Sequence, residues 1–442
     1  MRRTSWLLLS LLAAGPQAIG RAPTFAQASV FADAPADQSA GRPAFAEASA
    51  DQPAAQQDWP QFRGPGGQGQ SGERGLPIEW SESKNVVWKV PVPGRGWSSP
   101  VVSGGRVWLT TATTVGRETS LRLMAYDVET GKPGLDVEVF RLRGSALQNP
   151  KNSHASPTPI VDGDRVYVHF GAEGTAAVSA VGTILWKTRL PYQSQHGNGG
   201  SPELAGDLLI VNCDGFDEGF VVALDTRSGK TRWRTDRRQP ISQAYSTPLA
   251  IHTGDRDQIV SVGAFNAVAY DPQNGKEIWR ASYPEGFSNV PRPVYGAGLV
   301  FIATGFNQPS LLAIRADGRG DVTKTHVAWK LSRGAPLTPS PLLAGDELYV
   351  VSDNGIATCL DARTGAVHWQ QRLGNSFSAS PVLADGRIYF LDEDGRTTVI
   401  TPGTSFAPLA ANVLDGPTLA SMAVAAHSFF IRTATHLYRI AG

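Results

Sequence analysis

A Ser/Thr-Pro dipeptide, or a close relative of it, recurs at Ser99-Pro100, Ser156-Pro157, Ser201-Pro202, Thr247-Pro248, Arg292-Pro293, Ser340-Pro341 and Ser380-Pro381. Successive prolines stand 57, 45, 46, 45, 48 and 40 residues apart. Behind each lie a few apolar residues, a turn, and a second apolar run, as in 101–109 and 382–390. Short apolar runs around Gly-Gly, Gly-Asp or Asp-Gly are hairpins, because such turns need positive φ. A second signature closes most units. It reads Leu224-Asp225-Thr226-Arg227-Ser228-Gly229-Lys230-Thr231-Arg232-Trp233, and returns at 270–279 and 360–369. Its Asp bonds the turn backbone, its Gly takes the left-handed position, and its Trp restarts a strand. A period of 40–50 residues holding about four strands predicts the blades of a β-propeller.

The units number seven, with an eighth, degraded one at 420–440 that supplies three strands. Asn85-Val86-Val87-Trp88-Lys89-Val90 has a Trp in the right place but no strands before it, so it is expected to complete that blade. N- and C-terminal strands sharing one blade close the ring without a free edge. Trp186, Trp233, Trp279, Trp329 and Trp369 are 47, 46, 50 and 40 residues apart. Between Trp88 and Trp186 lie two periods, with Val139-Phe140 expected at the intermediate place. The fold expected is all-β: an eight-bladed propeller of four-stranded antiparallel blades over 85–442, preceded by a lead-in segment, 58–84.

The composition agrees with many short strands and tight turns. The 442 residues include 47 Gly, 31 Pro and 11 Trp, with only 18% charged. Forty basic against 39 acidic residues leave no bulk charge to recruit nucleic acid or anionic lipid. Arg2 and Arg3 precede the apolar run 6–14, which reads as an export signal within residues 1–28. Cleavage sites offer themselves after Gly20 or Ala28, and no Cys precedes Cys213 to carry a lipid anchor. Residues 29–57 are Ala-, Pro-, Gln- and Ser-rich, a composition expected to remain a disordered tether. The chain is thus expected in the periplasm or secreted, as a monomer without a membrane span once the signal is removed.

Ser-Pro followed by Leu-Asp-x-x-Thr-Gly-Lys-x-x-Trp resembles the PQQ-type propeller repeat of bacterial quinoprotein dehydrogenases and their non-enzymatic relatives. The resemblance covers about 85–440, and Trp59-Pro60-Gln61-Phe62-Arg63-Gly64-Pro65 is similar to the lead-in of exported PQQ-like propellers. A quinone enzyme of that family implies a cofactor held between an aromatic plane and an adjacent-cysteine disulfide, with Ca²⁺ beside a catalytic Asp. Cys213 and Cys359 are 146 residues apart and cannot form such a pair. They are expected to remain free thiols. Asp214, Asp217 and Glu218 form the densest acidic loop, expected as an exposed acidic hairpin rather than a site for calcium, which wants six to eight oxygens, and no cofactor is expected. Asp392-Glu393-Asp394-Gly395 is a similar acidic turn. No Ser-His-Asp elbow, Walker loop, paired catalytic carboxylates or zinc spacing is present.

In a four-stranded blade, the residues ahead of each Pro arrive at one mouth of the central channel. Those with chemistry beyond what turns require are Arg95, Trp97, His154, His196, Asn198, Tyr245, Asn289 and Arg292. Convergent polar groups with aromatics make this mouth the candidate ligand site. The function expected is that of a non-catalytic envelope propeller binding a protein or peptide there. A quinone-dependent dehydrogenase and a carbohydrate-binding propeller, with Trp97 and Tyr245 as stacking platforms, are the alternatives.

Overall fold

The computed structural model describes residues 58–144, 148–238, 242–254 and 256–442. The expected export signal and tether, residues 1–57, lie outside them. Eight sheets are arranged as blades. Blade 1 runs Val101–Ser103, Arg106–Val115, Glu118–Asp127 and Pro133–Arg143, from inner to outer strand. Blades 2 to 7 follow at 160–188, 203–236, 249–282, 294–331, 342–372 and 382–413. Blade 8 takes Ala423–Ala425, Ser428–Arg432 and His436–Ile440 from the C-terminal end and Val86–Pro91 from the N-terminal side. That last strand runs antiparallel to His436–Ile440, with Trp88 opposite Arg439 and Pro91 opposite His436. The ring is therefore closed by the strand expected to close it. Two 3-10 turns are the helical elements among the described residues, and no helix there is long and apolar enough to cross a membrane.

Burial follows position in the blade. Middle strands such as Asn266–Tyr270 and Leu299–Ala303 are buried at every residue, because both faces pack on neighbouring blades. Outer strands such as Thr231–Asp236 bury mainly their Trp. These tryptophans join blade to blade. Trp186 Nε1 donates to the Thr226 carbonyl (2.9 Å), Trp233 to that of Pro272 (2.7 Å), Trp329 to that of Ala362 (2.9 Å) and Trp369 to that of Gly403 (3.0 Å). Trp88 does the same across the closure, to Val128 (2.9 Å). Trp279 instead donates to Gln258 Oε1 in its own blade (2.7 Å).

Two expectations need correction. In blade 1 the residue opposite Ala125, where other blades place Trp opposite Ala, is Leu135 and not Val139-Phe140. Gly182 of the next blade packs over it. The long outer strand of blade 1 carries extra residues beyond the joint, which shifted the spacing count. In blade 2 the repeated dipeptide is Thr158-Pro159, because the inner strand Ile160–Asp162 starts directly after it. Ser156 is instead used within its own loop, donating to Asn152 Oδ1 (2.5 Å).

The lead-in crosses the end of the channel where the inner strands finish. Trp59 pairs with Val102, and the Pro60 carbonyl accepts the Val161 N–H (2.9 Å). Gln68 Oε1 accepts Tyr295 N–H (2.7 Å), and Gln70–Ser71 lies parallel to the inner strand of blade 7. Farther on, Asn412 accepts Trp80 N–H (2.9 Å) and donates to the Ile78 carbonyl (2.9 Å). One face of the ring is thereby floored, while the face of the approach loops stays open.

Candidate functional site

A cavity of about 490 Å³ occupies the channel, lined from all eight blades with Phe62 of the lead-in beneath. The first ring of its wall is made by the residues ahead of the inner strands. Ser99 N–H donates to Thr158 Oγ1 (3.0 Å), Thr158 N–H to Ser201 Oγ (2.9 Å) and Ser201 N–H to Thr247 Oγ1 (2.9 Å). On the far side, Arg292 N–H donates to Ser340 Oγ (3.0 Å), Ser340 N–H to Ser380 Oγ (3.0 Å) and Ser380 N–H to Ser421 Oγ (2.9 Å). This explains the repeated Ser/Thr. Each hydroxyl satisfies a backbone donor that a neighbouring blade would otherwise bury unpaired. Arg292 interrupts the series because it has no hydroxyl to offer.

Above that ring the wall has two characters. Asn149, Lys151, Asn152, His196 and Tyr245 line one side, and Val290, Phe287, Phe306 and Leu337 another. Phe287 and Phe306 meet edge to face at 5.6 Å, and Phe306 is 57% exposed. His196 and Tyr245 rings lie 6.2 Å apart. Burial pushes the Tyr245 hydroxyl up to about 12, so it stays a proton donor, given to Gln243 Oε1 (2.5 Å). Lys151 reaches over the opening from blade 2 to Glu393 of blade 7 (2.5 Å).

Of the eight sequence candidates, three line this cavity together: Trp97, His196 and Tyr245. Trp97 Nε1 is buried without a hydrogen-bond partner among the described residues. Arg95 is exposed beside the opening and donates to the Pro150 carbonyl. His154 is half-buried, and desolvation, with Arg95 nearby, holds its imidazole below the usual range. Asn198 is committed to structure, accepting the Tyr192 hydroxyl (3.0 Å) and donating to the Phe170 carbonyl (2.9 Å). Asn289 is fully buried, donating to the Ala303 carbonyl (3.2 Å). Arg292 is also fully buried, paired with Glu203 (2.6 Å) and holding the Phe62 carbonyl (2.8 Å). Asn289 turns into its own blade and Arg292 reaches blade 3 and the lead-in, directions that sequence spacing does not encode.

The lining also includes residues that spacing alone did not single out. Phe306 sits in Gly305-Phe306-Asn307, a hairpin tip where an aromatic between turn formers was the available signal. Phe62 had none, since its place depends on where the lead-in crosses.

The chemistry needed for a quinone cofactor does not fit. Among the described residues no carboxylate lines the cavity. Cys213 and Cys359 are buried free thiols in separate core clusters. The acidic loop does not converge either. Asp214 is buried against Arg237 (3.0 Å), Asp217 Oδ1 accepts Gln193 N–H (2.7 Å), and Glu218 pairs with Arg234 (2.8 Å). Asp392 accepts the Arg396 and Asp394 N–H groups, which makes it a turn former.

The sequence matches the family described as outer membrane protein assembly factor BamB over residues 69–198, 143–328 and 319–405. No protein of curated function matches the chain. Among solved structures, BamB from Moraxella catarrhalis is similar with a TM-score of 0.55 and 14% identity, covering 80% of this chain and 99% of that one. The computationally designed Ika8 protein gives 0.57 and 10%, covering 80% and 100%. Quinohemoprotein alcohol dehydrogenase from Comamonas testosteroni gives 0.44 and 11%, covering 86% and 80%. At such identities the likeness to the first two speaks for the fold alone. The family matches span most of the ring, from its floor to blade 7, and the chain belongs to this family of BamB-type, PQQ-like propellers.

Proposed function

We propose that this chain is an exported, non-catalytic docking propeller of the bacterial envelope, which holds a segment of a partner protein in the open mouth of its channel. The supporting observation is the cavity itself. It is floored on one side, open on the other, and lined by aromatic, amide and hydroxyl side chains without a carboxylate. Such a lining offers contact area and hydrogen bonds to a polypeptide. The exposed Phe306 and its partner Phe287 would supply the apolar anchor, and Asn149, Asn152, His196 and Tyr245 the polar contacts. The family description supports protein partners at the outer membrane. The basic-apolar start of the sequence supports export.

Photo-crosslinking in envelope preparations tests this reading. A benzophenone side chain replacing Phe306 is expected to give a discrete polypeptide adduct. The same group replacing Val181, exposed on a turn of the floored face, is expected to give none. Equal labelling from both positions, or none from Phe306, would overturn it.

A further inference from the structure

The channel's inner ring carries unused chemistry. Ser99, Thr158, Ser201, Thr247, Ser340, Ser380 and Ser421 all line the cavity, and each is more than nine-tenths buried. Six of them accept a backbone N–H from the neighbouring blade. Among the described residues, none of the seven passes its own proton to a protein acceptor. Accepting an amide bond polarises a hydroxyl and makes its O–H a better donor. The ring is therefore a set of O–H donors lining the channel, six of them with one acceptor lone pair already engaged by a neighbouring blade.

Two buried cations beside it have no carboxylate partner among the described residues, whereas the carboxylates nearby, Glu203, Asp353 and Glu393, are each held by an arginine, a lysine, a serine hydroxyl or backbone N–H groups. Arg63 is buried beneath the ring, and its described partners are the carbonyls of Pro341 (2.7 Å), Gln68 (2.8 Å) and Pro381 (3.5 Å). Burial and the neighbouring Arg292 pull its guanidinium down to about 9. Arg432, also buried, donates to Ser98 Oγ (2.7 Å) and the Thr110 carbonyl (2.9 Å), directly beside cavity-lining Trp97 and Ser99. Burial holds it at about 10. Glu203 answers Arg292, and at the opening Glu393 answers Lys151. Arg63 and Arg432 have no carboxylate among their described partners, so the floor and wall carry a positive potential. Buried cations of this kind are costly unless an anion relieves them. The guanidinium charge behind the wall and floor disfavours a metal ion in the channel and favours an oxyanion, which the O–H groups would contact directly.

We propose that the hydroxyl ring is an oxyanion site, which takes a phosphate-like anion or the carboxylate of an acidic peptide. This rests on the reading of the channel as the ligand site and specifies the ligand's chemistry. The hydroxyls come from seven blades, so the group that engages several of them is polyatomic, with oxygens pointing in more than one direction.

Calorimetric titration of the full chain in a non-coordinating buffer, with ionic strength fixed by sodium chloride, tests it. One arm uses sodium phosphate and the other pentaglutamate. Saturable one-to-one binding of phosphate identifies a small oxyanion as sufficient. Binding of pentaglutamate alone identifies the peptide carboxylate. In either case Ser340→Ala/Ser380→Ala is expected to weaken binding about tenfold or more, since two donors to a charged group are lost. Should that variant not fold, a selenate soak of wild-type crystals is the second measurement, with an anomalous peak expected inside the ring. No saturable binding in either arm, binding insensitive to the double substitution, or a selenate peak only elsewhere would overturn the proposal. Phosphate binding is read without any partner protein, so failure of the ring and failure of polypeptide docking at Phe306 are distinguishable.

Discussion

Trp186 Nε1 donates to the Thr226 carbonyl of the next blade at 2.9 Å, and the same indole lies against Gly229, three residues on in that turn. A Cβ on Gly229 would stand 2.4 Å from the ring, and the residue holds φ +68. One turn thus supplies both a hydrogen-bond acceptor and a bare backbone for the tryptophan. The same arrangement joins Trp233 to Gly275 and Trp329 to Gly365. The Thr-Gly and Trp of the repeat therefore belong to one joint, made between successive units.

Gly229→Ala should accordingly cost about 2–5 kcal/mol, combining left-handed strain of about 1–2 with overpacking of about 1–3. Gly104 has a similar φ of +61 but open space around it. Gly104→Ala should pay only the backbone strain, about 1–2 kcal/mol. Urea unfolding of the two variants measures the difference, and equal losses would mean the indole contact contributes nothing.

Arg292→Leu is expected to destabilise the fold by about 3–5 kcal/mol, because Glu203 would be left as an unpaired buried carboxyl. The Phe62 carbonyl would also lose its donor. Replacing both partners, Arg292→Leu/Glu203→Leu, should recover much of that loss. The measurement is the denaturation midpoint of the single and double variants.

His169 is fully buried beside Thr175 Oγ1 (2.8 Å), and desolvation lowers its pKa from 6.5 to about 3. The folded state thus binds fewer protons than the unfolded one between those values. Stability is fully present above about pH 6.5 and falls as the pH drops toward 3. From this side chain alone the loss between pH 7.5 and 5.5 is about 1.4 kcal/mol. His169→Gln should remove that part of the acid sensitivity, which unfolding curves at the two pH values would reveal. An unchanged difference between them would contradict the burial cost.

Cys213 and Cys359 should both titrate with a thiol reagent only after denaturation. Burial raises Cys213 well above the usual thiol range and Cys359 to about 11, so little thiolate forms near neutral pH. Two thiols per unfolded, non-reduced chain are expected. A count of zero would mean that they pair.

Blade number, strand sharing and the use of Trp88 as the closing residue were legible in the sequence because repetition multiplies weak signals. One Asp-x-x-x-Gly turn is ambiguous, but several at a 40–50-residue spacing are not. Where the repeat lapses, legibility lapsed with it. Leu135 takes the joint position in blade 1 without a Trp to mark it, and the neighbouring dipeptides 156–159 offered two registers for one ring position. The candidate site was legible as a set of loops but not as a set of side chains. Trp97, His196 and Tyr245 face the channel, while Asn198 and Asn289, drawn from equivalent loops, turn into the blades and Arg292 reaches blade 3 and the lead-in. For Arg292 that choice depends on bonds to residues as distant in sequence as Phe62 and Glu203. Local periodicity determined the blade, since strand pairing and turn geometry act within about 45 residues. The content of the channel was decided only by tertiary structure, because the lead-in's path across the floor and the convergence of seven hydroxyls on one axis exist only once the ring has closed.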